Sequence, residues 1–213
     1  MKVFFVVLIS MVCLIPSGRA EVPGREAVYF ETFASEKDYT RILRTAQAAQ
    51  RWEIVPDATA EGGKVLRVHY LFENPMDRSL LVFDLAPVHF GDFTIRARIP
   101  ETLEAPVRLD VALNDTKNDG FVFPAIQLSP DGRWQRYRVS FALPLRNVIQ
   151  SGNSKSDHKL CVEEIDALAF VRIIYHVSLP PDSPLLGQPF FIDFDLLECF
   201  PNTFTPEKNQ PES

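Results

Sequence analysis

Seven arginines fall at alternate positions of apolar segments: Arg67, Arg96, Arg98, Arg108, Arg136, Arg138 and Arg172. Where the apolar residues of such a segment face a core, the alternate residues face out. A guanidinium fork grips a carboxylate or a sulfate through two parallel hydrogen bonds, which a lysine cannot do. Fourteen arginines against six lysines follow Ala20, and the only acid read at the same outward positions is Asp110. Arg96 and Arg98 project from one segment two residues apart, as do Arg136 and Arg138. With Arg108 they are the candidate anion-binding residues. The alternative is that the arginine stems cover a sheet and their heads pair with acids from loops.

Other chemistry is sparse. The sequence has no GxSxG, no HExxH and no Gly-rich phosphate loop. His69, His89, His158 and His176 lack metal-ligand spacing, although His69 and His176 both fall at outward positions and are compatible with a pair across one sheet. Carboxylate pairs such as Asp110 with Asp115, or Glu163 with Glu164, read as solvated surface. Lys+Arg 22 against Asp+Glu 28 gives a net charge of −6, which excludes a nucleic-acid partner held by general positive charge.

The elements that must position the arginines are strands. At 46% hydrophobic with 17 Phe, the chain is too apolar for disorder. Period-two segments run over 27–33, 65–72, 79–85, 93–99, 107–113, 120–126, 135–141, 167–177 and 190–199. Turn residues separate them, as in Glu61-Gly62-Gly63 and Ser129-Pro130-Asp131-Gly132. Within 107–113, Val107, Leu109, Val111 and Leu113 oppose Arg108, Asp110 and Ala112. Ser35–Gln50 breaks the pattern: Tyr39, Ile42, Leu43 and Ala46 have helical spacing behind a Ser35 N-cap, which predicts a short helix or an ordered loop. The expectation is an all-β, antiparallel sandwich of about nine strands with one short helix. Trp134, Tyr70 and Tyr175 are assigned to packing, and Trp52 to the core or to a platform.

Lys2, the apolar run Val3–Ile15 and the small residues of Gly18-Arg19-Ala20 read as a secretory leader over 1–20, cut after Ala20. The alternative, an uncleaved anchor, needs roughly 20 apolar residues, and the run falls short of that. Cleavage leaves a domain over 21–200 and a polar tail over 201–213 that reads as disordered. It places the protein outside the cytoplasm, secreted or periplasmic, with no membrane attachment. Cys161 and Cys199 then remain, an even pair in an oxidising compartment, which predicts a disulfide. Two free thiols and a metal site are the alternatives.

The order of signals adds a resemblance. Phe30-Glu31-Thr32-Phe33, Trp52-Glu53-Ile54 and Gly63–Val68 are followed by Phe93–Ile99, by Gly132–Phe141 with its Trp134 and Tyr137, and by Phe191-Ile192-Asp193. Over residues 27–200 this succession resembles the galactose-binding-like jelly roll of carbohydrate-binding modules. The resemblance implies a secreted, non-catalytic protein whose partner is a polysaccharide, and the arginines make that an acidic one. It also implies one structural calcium between the first and last strands, with Glu31 and Asp193 as ligands and Asp195 beside them. On the same fold, a protein-interaction or envelope-assembly module and a polysaccharide lyase or hydrolase stay open.

Overall fold

The structure is a computed structural model that describes residues 26–27, 29–33, 43–89, 91–116, 120–123, 125–140, 149–151 and 169–201. The expected leader, Cys161, His158, Glu163 and Glu164, and all of the tail but Pro201 lie outside these residues.

Thirteen strands are described: β1 (Tyr29–Glu31), β2 (Leu43–Gln47), β3 (Ala49–Pro56), β4 (Lys64–Tyr70), β5 (Ser79–Val88), β6 (Asp92–Arg98), β7 (Val107–Asp115), β8 (Gly120–Val122), β9 (Ile126–Leu128), β10 (Gln135–Ser140), β11 (Ile149–Ser151), β12 (Phe170–Ser178) and β13 (Phe190–Phe200). They form two antiparallel sheets. The first runs β10-β6-β13-β4-β3, with β1 continuing the line of β4 along β13. The second runs β11-β8-β7-β12-β5-β2, with β9 beside β8 along β7. The all-β sandwich expected from the alternation is what the chain forms, with more and shorter strands than the nine read from sequence.

The alternation does the work. In β7, Val107, Leu109, Val111 and Leu113 are buried while Arg108 is exposed and Asp110 and Ala112 half-buried. β4 does the same with Leu66, Val68 and Tyr70 against Arg67 and His69. Between the sheets, Phe83 meets Tyr175 edge-on at 5.1 Å, Tyr175 stacks on Phe194 at 4.9 Å, and Phe93 meets Phe123 at 5.4 Å. Each such side chain contributes about 1.5–3 kcal/mol by leaving water. Tyr70 and Tyr175 belong to this core, as expected.

The helix-like stretch is corrected from Leu43 onward, where it forms β2 and the start of β3; residues 34–42 lie outside the description. Leu43 is buried and pairs in register with Phe83 of β5, so cross-strand packing outweighs the local helical spacing. At its end Gln47 takes a left-handed backbone (φ 58°), and the chain passes there from the second sheet to the first. Cys199 is buried in the core and is a free thiol among the described residues; the Cys161 with which a disulfide was expected lies outside them. Burial, with the nearby Glu198 charge, pushes that thiol well above its ordinary pKa.

Candidate functional site

The outer face of the first sheet carries four of the five candidate arginines. Arg96 and Arg98 lie on β6 and Arg136 and Arg138 on the neighbouring β10, with Arg136 directly opposite Arg96. Each is met by a carboxylate: Arg96 by Asp195, Arg98 by Asp57 and Asp193, Arg136 by Glu198, and Arg138 by Asp92. Arg67 of β4 joins them, gripping Asp193 through Nε at 2.7 Å and Nη2 at 3.0 Å. Three of these acids come from β13, which runs between β6 and β4. The reading of Asp110 as the single outward acid is therefore corrected. The missing acids sit on the central strand, where a register shift between Phe194 and Leu196 breaks the alternation.

A strap seals this layer. The turn after β3, Asp57 to Gly63, folds over it; the amide of Glu61 donates to Asp195 at 3.0 Å, and Gly63 takes the left-handed conformation the turn requires (φ 72°). Trp134 lies outside the core, half-buried on this face. Its ring covers the guanidinium groups of Arg98 and Arg96, at 4.4 and 5.0 Å, and its Nε1 donates to the Thr59 hydroxyl at 2.9 Å. Trp52, by contrast, packs against the core. Asp193 and Asp195 are fully buried under this cover. Burial pushes the Asp195 carboxyl up despite Arg96. Burial acts the same way on Asp57, but the Thr59 hydroxyl and amide and the Arg98 charge outweigh it and hold the carboxyl below its ordinary value. Bonding to Asp193 raises Arg67.

Glu31 and Asp193 are not brought together. Glu31 pairs with Leu197, four residues beyond Asp193 on β13, or about 13 Å along the strand. It shares the inward face of Leu197 and accepts the Phe33 amide at 2.8 Å, whereas Asp193 points outward. Both oxygens of Asp193 are taken by Arg67 and Arg98, so this pair does not fit a shared calcium. His69 and His176 also part: His69 is on β4 of the first sheet, bonded to Glu53 at 2.7 Å, and His176 is on β12 of the second.

The outer face of the second sheet is built differently. Ala112, Ile174 and Val82 form one row across β7, β12 and β5, extended by Val122 of β8 and Arg44 of β2. The three central residues are apolar and half-buried. On one side lies the row Asn114, Arg172 and Asp84; on the other, Asp110 and His176, then Arg108 and Ser178. Arg44 and Arg172 both bind Asp84, at 2.8–2.9 Å. Arg108 leans on Asp110 at 3.1–3.3 Å, and His176 Nδ1 lies 3.8 Å from the same carboxylate. Burial pushes His176 below its ordinary pKa against the pull of Asp110. Beyond Arg108 the face runs into an open cleft of about 560 Å³ walled by Pro106, Pro180 and Pro184, with Asp182 at its rim.

The sequence grouped Arg108 with Arg96, Arg98, Arg136 and Arg138, and the structure separates it from them onto this second face. Sequence reasoning counted Arg172 as outward without singling it out, and it missed Arg44, which lay in the stretch read as helical.

No protein-family model matches the sequence, and no curated protein matches it. Solved structures do. The family 11 carbohydrate-binding module of the cellulosomal cellulase Lic26A-Cel5E of Clostridium thermocellum superposes with a TM-score of 0.52 at 13% identity, covering 83% of this chain and 95% of that one. The CBM22-1 xylan-binding domain of Paenibacillus barcinonensis Xyn10C gives 0.46 at 8% identity, over 84% of this chain and 97% of that one. The mannan-recognising module TmCBM27 gives 0.48 at 10% identity, over 84% and 99%. This chain has the jelly-roll fold of a carbohydrate-binding module. At 13% identity the likeness is one of fold.

Proposed function

We propose that this protein is a secreted, non-catalytic carbohydrate-binding domain, and that an acidic polysaccharide lies across the outer face of its second sheet. The observation that carries the reading is the half-buried row Ala112, Ile174 and Val82 with a polar row on either side. A sugar ring offers an apolar C–H face and a rim of hydroxyl groups, and such a surface complements both at once. The first sheet gives less support for a ligand, since each of its guanidinium groups is engaged by a carboxylate and those of Arg96 and Arg98 are also covered by Trp134 and the strap. Along the described rows of the second face, the three arginines Arg44, Arg108 and Arg172 stand against the two acids Asp84 and Asp110, with Asp182 set apart in the adjoining cleft, on a chain of net charge −6.

Both carboxylates of that face are bound by guanidinium groups, which suits holding a ligand better than shuttling protons. Secretion rests on the leader-like segment before Glu21. No helix among the described residues is long and apolar enough to cross a membrane.

The test is a glycan array with the chain that starts at Glu21, alongside a product-release assay on the same polysaccharides. Retention of acidic polysaccharides without release of products is the expected result. Release of sugars would replace the binding role with an enzymatic one, and an empty array would overturn the reading.

A further inference from the structure

We infer that Arg172 and Arg44 form a seat for a single oxyanion, a carboxylate or a sulfate carried by the glycan. This rests on the reading of the second sheet as the binding face. Two guanidinium groups converge on one carboxylate, so the trio Arg44, Asp84 and Arg172 keeps one uncompensated positive charge. Its donors are also underused. Arg172 spends only Nε on Asp84, and Arg44 only Nη2. Among the described residues, both terminal nitrogens of Arg172 lack a protein acceptor. The first sheet differs: Arg67 spends Nε and Nη2 on Asp193, and Arg98 spends Nε, Nη1 and Nη2 on Asp193, Thr59 and Asp57. Asp84 holds the two forks side by side without saturating them, which is the arrangement that receives an anion bidentately.

The trio is open, with side-chain exposures of 54%, 33% and 33% for Arg44, Asp84 and Arg172. It is also in the right place. Arg172 precedes Ile174 by two residues on β12, about 7 Å along the strand. A ring resting on Ile174 and Val82 brings an acidic substituent against Arg172.

Titration of the protein with polygalacturonate (carboxylate), dextran sulfate (sulfate) and neutral dextran at low salt tests this, using wild type, Arg172→Gln, Arg172→Lys and Arg44→Gln. Each single variant leaves Asp84 with one arginine partner, and a melting curve verifies the fold. Loss of a charge-assisted pair predicts a drop of about tenfold or more in affinity for an acidic polymer in Arg172→Gln. Arg172→Lys should recover only part of it, because the charge returns without the fork. Whichever polymer is affected names the oxyanion. Unchanged affinity for both acidic polymers in Arg172→Gln and Arg44→Gln overturns the seat, as does equal binding of neutral dextran by the wild type. Ile174→Asp separates the two levels: if it abolishes binding while the arginine variants do not, the face stands and the seat falls. If it too has no effect, the face falls as well.

Discussion

Asp193 lies directly opposite Arg67 on one side and Arg98 on the other, because β13 runs between β4 and β6 in register. Its carboxylate is fully buried and receives Nε of Arg67 at 2.7 Å and Nη2 of Arg98 at 3.0 Å. The charge is held under the outer surface by two cations, with the Phe191 ring stacked on Arg67 at 3.9 Å. The acids of the last strand are the foundation of this face, and the arginines are their counterions.

Removing one counterion therefore acts on stability. Arg67→Ala leaves a buried carboxylate short of a partner, a change that costs about 3–5 kcal/mol where the pairing is lost. Arg96→Ala exposes Asp195 to the same loss. Urea unfolding should show a lower midpoint at an unchanged slope for both. A midpoint equal to that of the wild type would remove the structural role assigned to the layer.

The strap should loosen in acid. The folded-state pKa of Asp57 lies below its ordinary value, so the folded form binds fewer protons than the unfolded one. Its contribution is complete above the ordinary carboxylate range, about pH 4, and is lost as pH falls through the depressed value. Asp57→Asn should flatten that part of the stability–pH curve. An identical acid limb in the variant and the wild type would contradict the linkage.

Cys199 should be inert in the folded protein. It is buried among the core side chains and its thiol is held protonated by burial. A thiol reagent should label it only after unfolding, at the rate of global opening. Rapid labelling at Cys199 of the native chain, located by peptide mapping to separate it from Cys161, would mean that the end of β13 is open.

The strands were legible wherever one face of a sheet meets the core, because burial then writes period two into the sequence, as in β4 and β7. That Arg96 faces with Arg98, and Arg136 with Arg138, was legible for the same reason; that the two pairs lie on one sheet was not, since only the pairing of β10 with β6 decides it. Nor were their partners. Phe190–Phe200 is apolar at eight of its eleven residues on both faces, and its register shift at Phe194 hides which of its acids point outward. Strand order, which puts that segment between two arginine-bearing strands, is set by tertiary packing alone. Arg44 was lost because Ile42, Leu43 and Ala46 fit a helix as well as an edge strand, and only the pairing with β5 decides between them. Trp134 is apolar by type, yet its ring serves two guanidinium groups and its nitrogen one hydroxyl, a role that no local pattern carries.

In the proposed function the two faces divide the labour: guanidinium groups of the first sheet hold the fold, and the second sheet holds the ligand. Affinity electrophoresis through gels containing polygalacturonate compares them directly, with Arg136→Ala for the first face and Ile174→Asp for the second. Arg136 is half-exposed and pairs with Glu198 at the surface, so its loss should leave the fold intact. Wild-type retardation is expected for Arg136→Ala and none for Ile174→Asp. Retardation kept by Ile174→Asp and lost by Arg136→Ala would contradict this division.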